Sequence, residues 1–443
     1  MKKILHRLSR GKGMYQETLL EKILLWLIYN RPVRWVLKQK DYLAVRRLKK
    51  IDSVLVISDV NIGDSIMLQA AVEAFRHYFP DSEIDYMYNA VVQDLVAGNP
   101  AISNSYPLFK SSTSLAYKKN VLKIGDLLQH KQYDLVINIC PLITKSDLRL
   151  AKCPVISPLN ILLEILNAEK DGKIASLPYR LMDYLSHLIS HLPGHLKLRQ
   201  QAVTFQENKV FLEPSIMRDR DAFLQSSNIN PDDTLVFINP DTSNIYTFID
   251  PQLCIDMIHL LLQSEEVDYI ILGWSFKFDG VSAKIYQSVS SFYRQKVILM
   301  PEDAPLSFYA AMVDRCDSYI SGDTGPLHIA AARKISTDAH DRFANKTSIA
   351  NLFRATEPAI YGYDSESELM IDSGQDAPVK LFDVDVDCKR ISCTIQRVIK
   401  TCDAARCATM LDAHQISKFV RTTIQRKDIY EKTEALEFAD RYE

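Results

Sequence analysis

The sequence predicts an α/β protein with two doubly wound domains, and three observations lead to this prediction. Short apolar runs alternate with stretches of helical spacing from residue 53 onward. The alternation loosens around residues 207–214, and a second series of similar size then begins. Strand–helix–strand order implies parallel strands, so two such series suggest two facing domains with a cleft between them. A chain of 443 residues is also long enough for two cores.

The first series contains three clear strands and at least three helices. Buried strands are predicted for the apolar runs SVLVIS, SEIDYMYN and YDLVINI. Helical spacing of apolar residues predicts helices over DSIMLQAAVEAFRHYF and over residues 120–130. Residues 142–200 are richer in helix and irregular structure, with PYRLMDYLSHLISHL as the clearest helix.

The second series alternates strands and helices four times. The predicted strands are TLVFINP, VDYIILG, KVILM and SYIS. The predicted helices are DPQLCIDMIHLLLQS, VSAKIYQSVSSFY, PLSFYAAMVDR and the segment that follows SYIS. We therefore divide the chain into a basic arm (1–50), a first domain (51–212), a second domain (213–412) and a helical tail (413–443).

Charge is balanced overall but not along the chain. The 53 Lys and Arg residues nearly equal the 55 Asp and Glu residues, which argues against a nucleic-acid-binding protein. Residues 1–50 nevertheless hold 14 basic and only 3 acidic residues. The longest uncharged apolar run in this arm, residues 23–29, is too short to span a bilayer. The arm is either an amphipathic segment attracted to anionic lipid or a helix that packs on the domain or on another subunit.

The cysteines indicate a reducing compartment. Eight Cys in a chain of this size, with no pattern typical of a secretion signal, lead us to expect a cytoplasmic protein. Four of them form a C-x4-C-x8-C-x4-C pattern, which differs from the C-x2-C pairs of most zinc sites. These are Cys388, Cys393, Cys402 and Cys407. We expect no metal site, although a site formed by these four thiols stays open as the less favoured alternative.

Three turns follow predicted strands, at the edge where open α/β sheets bind ligands. The first contains Asn61, Gly63 and Asp64 in ISDVNIGDSIML. Asp64 is either the N-cap of the following helix or a general base. The second turn, INPDTSNIYTF, is rich in groups that bind phosphate but also has the composition of an ordinary loop. Its candidate phosphate-binding residues are Asp241, Thr242 and Ser243, together with Gly273 at the end of the next strand.

The third turn, GDTGP, joins a strand directly to a helix. A helix N-terminus favours an anion, and Gly325 lets a ligand approach the backbone, so phosphate is the natural candidate. The alternative is an ordinary connection in which His328 is packed and satisfied. The chain has neither a G-x-G-x-x-G fingerprint nor a P-loop, which disfavours a nicotinamide-dependent oxidoreductase and a P-loop nucleotidase.

Together these features resemble glycosyltransferase family 9, the heptosyltransferases of lipopolysaccharide cores and their relatives that modify autotransporter proteins. The resemblance covers roughly residues 52–420. The segments that carry it are VLVISDVNIGDSIMLQAAVEAFRHYFPDSEIDYMY, SFYAAMVDRCDSYISGDTGPLHIAAA and CATMLDAHQISKFV. The most specific part is the D-T-G-P-x-H block together with the upstream G-D.

The resemblance implies a GT-B fold and an inverting, metal-independent transfer that needs no cofactor. It places the acceptor on the first domain and a nucleotide sugar, most plausibly ADP-heptose, on the second. Asp64 then matches the general base. Asp323, Thr324, Gly325 and His328 match the loop that binds the donor diphosphate. We expect Asp323 to cap the helix while the amides of Thr324 and Gly325 meet the phosphate.

Two departures from the family pattern bear on activity. Tyr246 stands where the family has a Lys for the phosphates, with Lys277 and Arg333 as the cations available by position. Residues 333–348 form an insertion before IANLFRATEPAIYG, near the expected contacts to the nucleotide base and sugar. The sequence therefore predicts a transferase acting on a cell-envelope glycan or a protein. The alternative is a degenerate GT-B protein that binds a nucleotide sugar or a partner without turnover. Either would be cytoplasmic, with contact to the inner membrane or to other subunits through residues 1–50.

Overall fold

The computed structural model divides the chain into two compact units, Met1–Lys209 and Val210–Glu443. It describes residues 31–96, 98–109, 114–140, 143, 146–156, 185, 188–196, 210–241, 249–273, 280–335, 347–354, 358–363, 379–384, 407 and 410–425. Within these ranges, no helix is long and apolar enough to cross a membrane.

Unit 1 is built around a five-stranded parallel sheet. Its strands are β1 (Ser53–Ser58), β2 (Glu83–Asn89), β3 (Asn104–Leu108), β4 (Leu135–Asn138) and β5 (Val155–Ile156), in the order β3-β2-β1-β4-β5. The described helices are α1 (Arg31–Val45), α2 (Ile62–Tyr78), the short α3 (Gln93–Val96) and α4 (Ser114–His130). One face of the sheet and α4 share a core that includes Leu55, Ile57 and Ile124, all without solvent exposure.

Unit 2 contains a six-stranded parallel sheet. Its strands are β6 (Leu235–Asn239), β7 (Tyr269–Leu272), β8 (Val297–Leu299), β9 (Ser318–Gly322), β10 (Ser348–Phe353) and β11 (Val379–Asp383), in the order β11-β10-β9-β6-β7-β8. The described helices are α5 (Pro214–Ser226), α6 (Pro251–Leu262), α7 (Val281–Ser288), α8 (Ser291–Arg294), α9 (Leu306–Arg315), α10 (Gly325–Ile335), α11 (Pro358–Tyr361) and α12 (413–425). A continuous apolar core joins the sheet to α6, α7 and α12.

Most predicted elements of both series are present, and the differences have physical reasons. The segment VSAKIYQSVSSFY forms two helices because Val289 takes an extended conformation (φ −63°, ψ 139°) that ends α7. Strands β3 and β11 lack the continuous apolar run of a buried strand because each lies at one edge of its sheet and is partly exposed. Most of the predicted helix PYRLMDYLSHLISHL lies outside the described residues.

Each sheet has one point at which the strand order reverses. In unit 1 it lies between β1 and β4, and in unit 2 between β6 and β9. The connections that leave neighbouring strands there run to opposite sides, which opens a crevice at the carboxyl ends where α/β proteins bind ligands. The turn with Asp64 follows β1, and the GDTGP turn follows β9. Each predicted turn therefore lies at the crevice of its own sheet.

Candidate active site

The turn after β1 places Asp64 inside the first helical turn. Helix α2 begins at Ile62, and Asn61 is the N-cap residue with an extended backbone (φ −69°, ψ 170°). Asp64 is thus the third residue of α2, so the alternative that made it the N-cap is wrong. Its side chain is partly exposed, and Gly63 beside it is buried. A carboxylate in this position is stabilised by the positive end of the helix dipole.

Buried polar side chains hold this turn in place. Asn120 of α4 donates from Nδ2 to the Asp59 carboxylate (3.1 Å), and Asn89 donates from Nδ2 to the Val60 carbonyl (3.2 Å). Cys140, which follows β4, contacts the Asp59 carbonyl through Sγ at 3.7 Å. These contacts come from both strands that flank β1 in the sheet and from α4. The crevice of unit 1 therefore has a fixed wall next to Asp64.

In unit 2, the end of β6 is organised by Asn239. This side chain is 1% exposed, and its Nδ2 donates to the Asp241 carbonyl at 2.8 Å. Its Oδ1 is buried and has no hydrogen-bond partner. A Cβ on Gly273 would lie 2.6 Å from that oxygen, so only glycine leaves room for the amide at this position. Asp241 and Gly273, both predicted for the donor side, therefore lie next to the same buried side chain.

The GDTGP turn connects β9 to α10 without a loop. Strand β9 ends at Gly322 and α10 begins at Gly325, which leaves only Asp323 and Thr324 between the two elements. The amide of Leu327 donates to the Thr324 carbonyl at 3.0 Å, which closes the first turn of the helix. The N-terminus of α10 therefore lies at the carboxyl edge of the sheet, where an anion would be stabilised by backbone amides.

His328 is buried beneath this turn. Its ring is 3% exposed, its Nδ1 lies 2.7 Å from the Tyr363 hydroxyl, and its Nε2 lies 3.8 Å from an Asp323 carboxylate oxygen. Burial lowers the pKa of the imidazole to about 4, so the ring is neutral at physiological pH. The residue is packed and hydrogen-bonded, as the structural interpretation of the sequence expected, and it also lies directly behind a predicted donor-binding residue.

Arg333 does not supply the cation that the sequence leaves missing. Its guanidinium is 2% exposed and forms hydrogen bonds of 2.6–3.1 Å to the Asp314 carboxylate. It also donates from Nη1 to the Val210 carbonyl at 2.5 Å. With these partners inside the protein, the side chain links α9 to α10 and is not available to a phosphate. The suggestion that Arg333 replaces the family's Lys is therefore wrong.

A second arginine, which sequence reasoning missed, follows the strand next to β9. This is Arg354, which comes directly after β10, and the last paired residues of the two strands are Leu352 and Gly322. The residue is 4% exposed, and its Nη1 donates to Cys407 Sγ at 3.8 Å. Burial holds the pKa of the guanidinium below its usual value, while the nearby Asp250 carboxylate acts in the opposite direction. This cation lies at the carboxyl edge of the sheet, one strand from the turn.

Several predicted residues lie outside the described part of the chain. These are Thr242, Ser243, Tyr246, Lys277, Cys388, Cys393 and Cys402. Cys407 is described, and its Sγ accepts a hydrogen bond from Arg354 Nη1. Among the described residues, no group of three or more His, Cys, Asp or Glu side chains is arranged to hold a metal ion.

The contacts made by Asn239, Arg354 and Tyr363 were not visible in the sequence. Asn239 ends a predicted strand, and the sequence does not distinguish it from the rest of that strand. Arg354 and Tyr363 follow the predicted insertion, and their partners lie tens of residues away along the chain. The signal that could have found Asn239 and Arg354 is topological, because each ends or follows a strand near the switch point of unit 2, whereas Tyr363 follows α11.

Comparison with known proteins gives a match in structure but none in sequence. No known family model matches the chain. No curated protein matches it either. Among solved structures, the family 9 glycosyltransferase from Veillonella parvula aligns with a TM-score of 0.61 and 15% identity, over 86% of this chain and 99% of that one. The chain has the GT-B fold of family 9 glycosyltransferases.

Two Escherichia coli enzymes show the same fold similarity. The ADP-heptose lipopolysaccharide heptosyltransferase II aligns with a TM-score of 0.60 and 13% identity, over 85% of this chain and 99% of that one. Heptosyltransferase WaaC, solved with ADP, aligns with a TM-score of 0.53 and 15% identity, over 84% and 99% of the two chains. These matches confirm the predicted GT-B fold and its resemblance to the family.

Proposed function

We propose that this protein is an inverting glycosyltransferase that moves a sugar from a nucleoside diphosphate to a hydroxyl group. The observation that carries the proposal is the position of the GDTGP turn. It joins β9 to an 11-residue helix at the switch point of a GT-B unit, where a diphosphate leaving group would be stabilised. The ADP bound to one structural relative favours an ADP-sugar, and the heptose named for the two E. coli relatives favours a heptosyl donor.

In the proposed reaction, Asp64 removes the proton from the acceptor hydroxyl. The resulting oxygen attacks the anomeric carbon while the bond from that carbon to the diphosphate oxygen breaks. The electron pair of the broken bond stays on the diphosphate, which gains negative charge as it leaves. The amides of Thr324 and Gly325 and the dipole of α10 stabilise that charge. We assign Arg354 the role of the nearby cation because it follows β10, the strand next to β9, at the carboxyl edge of the sheet.

The acceptor is proposed to be a cell-envelope glycan or a protein hydroxyl. The protein would meet it on the cytoplasmic side of the inner membrane, with the basic arm held at the anionic lipid surface. Support comes from the charge of residues 1–50 and from the described part of this arm. In α1, Trp35 is 63% exposed, Val36 49% and Leu43 50%, whereas Tyr42 is buried and stacks on His191 (3.9 Å between ring centroids).

Turnover tests the proposal. The protein is incubated with ADP- and UDP-activated sugars and a mixture of envelope glycans, and the release of nucleoside diphosphate is followed. We expect release with an ADP-sugar, and a fall of at least about 100-fold for Asp64→Asn, because general bases contribute about 10²–10⁴-fold. Asp94→Asn is the control, since Asp94 is also an acidic residue in the first turn of a unit 1 helix. Release that is equally fast in Asp64→Asn would remove Asp64 from the base role.

A binding protein without turnover is the second candidate. Lys277 and Arg333 are the two residues whose position could let them replace the family's Lys. Arg333, which the structure describes, is paired with Asp314, and the lack of this cation at the phosphates favours a protein without turnover. If the protein binds without turnover, ADP-sugars bind to it but no nucleoside diphosphate is released from any donor. The same experiment, accompanied by calorimetric titration with ADP, separates the two candidates.

A further inference from the structure

A chain of hydrogen bonds leads from the centre of β10 to the GDTGP turn. Asn351 of β10 has no solvent exposure, accepts at Oδ1 from the Tyr363 amide (3.0 Å) and donates from Nδ2 to the Tyr363 carbonyl (2.8 Å). Both backbone groups of Tyr363 are thus fixed by one side chain. The Tyr363 hydroxyl in turn meets His328 Nδ1 at 2.7 Å, with the two rings edge to face.

The segment before Tyr363 is equally constrained. The amide of Gly362 donates to the Pro358 carbonyl at 2.6 Å, and a Cβ on Gly362 would lie 2.6 Å from that same oxygen. Glycine is therefore required for the close approach that ends α11. The backbone on both sides of the Tyr363 Cα is therefore held by hydrogen bonds and close packing, and the hydroxyl of this residue contacts His328.

The negative charge of Asp323 determines whether His328 or Tyr363 donates the hydrogen bond between them. If His328 donated from Nδ1, its Nε2 lone pair would face the Asp323 carboxylate oxygen 3.8 Å away, and two electron-rich atoms would repel each other. If Tyr363 donates, Nδ1 is the acceptor and Nε2 carries the proton toward Asp323. The second arrangement is the favourable one for a neutral ring.

We propose that Tyr363 is a positioning residue that holds His328 as the Nε2–H tautomer and thereby orients Asp323 at the anion-binding turn. This inference rests on the proposed function, because it assigns a role within the same donor site. A carboxylate beside a diphosphate repels it unless a donor holds it aside. The Nε2–H group of His328 points positive charge at the Asp323 carboxylate oxygen, which lies 3.8 Å from Nε2.

The test combines a spectroscopic and a binding measurement. Nitrogen-15 NMR of histidine-labelled protein reports which ring nitrogen carries the proton, and His328→Gln identifies the His328 signals. We expect the proton on Nε2 in the unaltered protein and a redistribution between the two nitrogens in Tyr363→Phe. Affinity for ADP and for inorganic pyrophosphate, measured by calorimetry, should fall about fivefold in Tyr363→Phe, the effect of one lost hydrogen bond.

Tyr319→Phe is the matched control. It also removes a buried hydroxyl of unit 2, one that lies 3.0 Å from the Tyr309 hydroxyl, and it should change neither the tautomer nor the affinity. A second pair of variants tests the same inference if Tyr363→Phe does not fold. His328→Gln can place its amide N–H near the position of Nε2 and should bind ADP more tightly than His328→Asn, whose shorter amide reaches only the position of Nδ1.

Each result has a distinct meaning. A proton on Nδ1 in the unaltered protein overturns the inference, and so does unchanged ADP affinity in Tyr363→Phe. Binding of neither ADP, UDP nor pyrophosphate by the unaltered protein overturns the proposed function, and with it the role of Asp323 in anion binding. The NMR result is independent of that failure, since it reports the Tyr363–His328 bond without a ligand.

Discussion

A methyl group added at Gly273, directly after β7, would clash with well-packed neighbours. The added Cβ would lie 2.6 Å from Asn239 Oδ1 and 3.2 Å from the Phe237 ring. Both neighbours are fully buried, so neither can move away at low cost.

We therefore expect Gly273→Ala to lower the free energy of unfolding by about 1–3 kcal/mol, the usual cost of overpacking a core. Urea unfolding measures the change. Gly125→Ala is the control, because its Cβ would meet only Leu150 Cδ1 at an ordinary 3.7 Å inside α4. That variant should be stabilised by about 0.5–1 kcal/mol, as alanine favours helix. Equal effects of the two substitutions would contradict the packing around Asn239.

The buried imidazole of His328 links stability to pH. Its folded pKa of about 4 lies below the ordinary value of 6.5, so the unfolded chain binds the proton more tightly between these values. Stability is therefore fully present above pH 6.5 and is lost as the pH falls toward 4.

From this residue alone, the free energy of unfolding should fall by about 2 kcal/mol between pH 7 and pH 5. His328→Asn cannot titrate in this range and should lose that part of the pH dependence. Urea titrations of both proteins at the two pH values give the comparison. An identical pH dependence in the variant would mean that the ring is solvated or charged in the folded protein.

Among the elements, α9 and α10 are held together by charge as well as by apolar packing. The Asp314 and Arg333 side chains are 1% and 2% exposed, and they meet at 2.6 Å. A buried guanidinium that loses its carboxylate keeps its desolvation cost without the compensating attraction.

Asp314→Asn should therefore cost about 3–5 kcal/mol of unfolding free energy. The matched surface variant is Asp126→Asn, whose carboxylate is 76% exposed and lies 3.5 Å from His130. Removing an exposed pair of this kind should change stability by less than about 1 kcal/mol. Thermal or urea unfolding of both variants measures the two changes in stability. A small effect for Asp314→Asn would show that the ion pair contributes little to holding α9 and α10 together.

Helix α1 presents its apolar side chains in two directions. Tyr42 and Val45 are buried in unit 1, whereas Trp35 and Leu43 are exposed beside the basic residues of the arm. If the exposed pair enters a lipid surface, cosedimentation with anionic vesicles should fall in Trp35→Ala and in Leu43→Ala, and it should weaken at high salt. Phe292→Ala in unit 2 removes a side chain that is 75% exposed and should have no effect. No binding to anionic vesicles by the unaltered protein would leave packing on the domain or on another subunit as the role of the arm.

Continuous apolar runs explain which elements could be predicted from the sequence. Strands such as β1 and β6 are buried on both faces, and their runs SVLVIS and LVFIN are unmistakable. Strand β3 contains a proline and exposes two of its five residues at the sheet edge, so no comparable pattern marks it. The turns beside Asp64 and Gly325 were found because each follows such a run. The burial of Arg333 and the pairing of His328 with Tyr363 depend on contacts between distant segments, which local patterns do not encode.

On the scale of the whole molecule, each unit repeats one architectural rule. A parallel sheet reverses its strand order next to the strand that carries a predicted functional turn, β1 in unit 1 and β9 in unit 2. The GT-B fold similarity covers about 85% of the chain, although identity to the three structures is only 13–15%. The fold therefore rests on the pattern of buried strands, while the proposed activity would depend on a few polar residues at the switch points.

A crystal structure of the protein with ADP tests the central claim most directly. We predict diphosphate oxygens within hydrogen-bonding distance of the Thr324 and Gly325 amides, with the Arg354 guanidinium on the same side of the sheet. Nucleotide bound away from the carboxyl edge of β9, or a structure in which saturating ADP leaves that edge unoccupied, would contradict the assignment of this turn as the donor site.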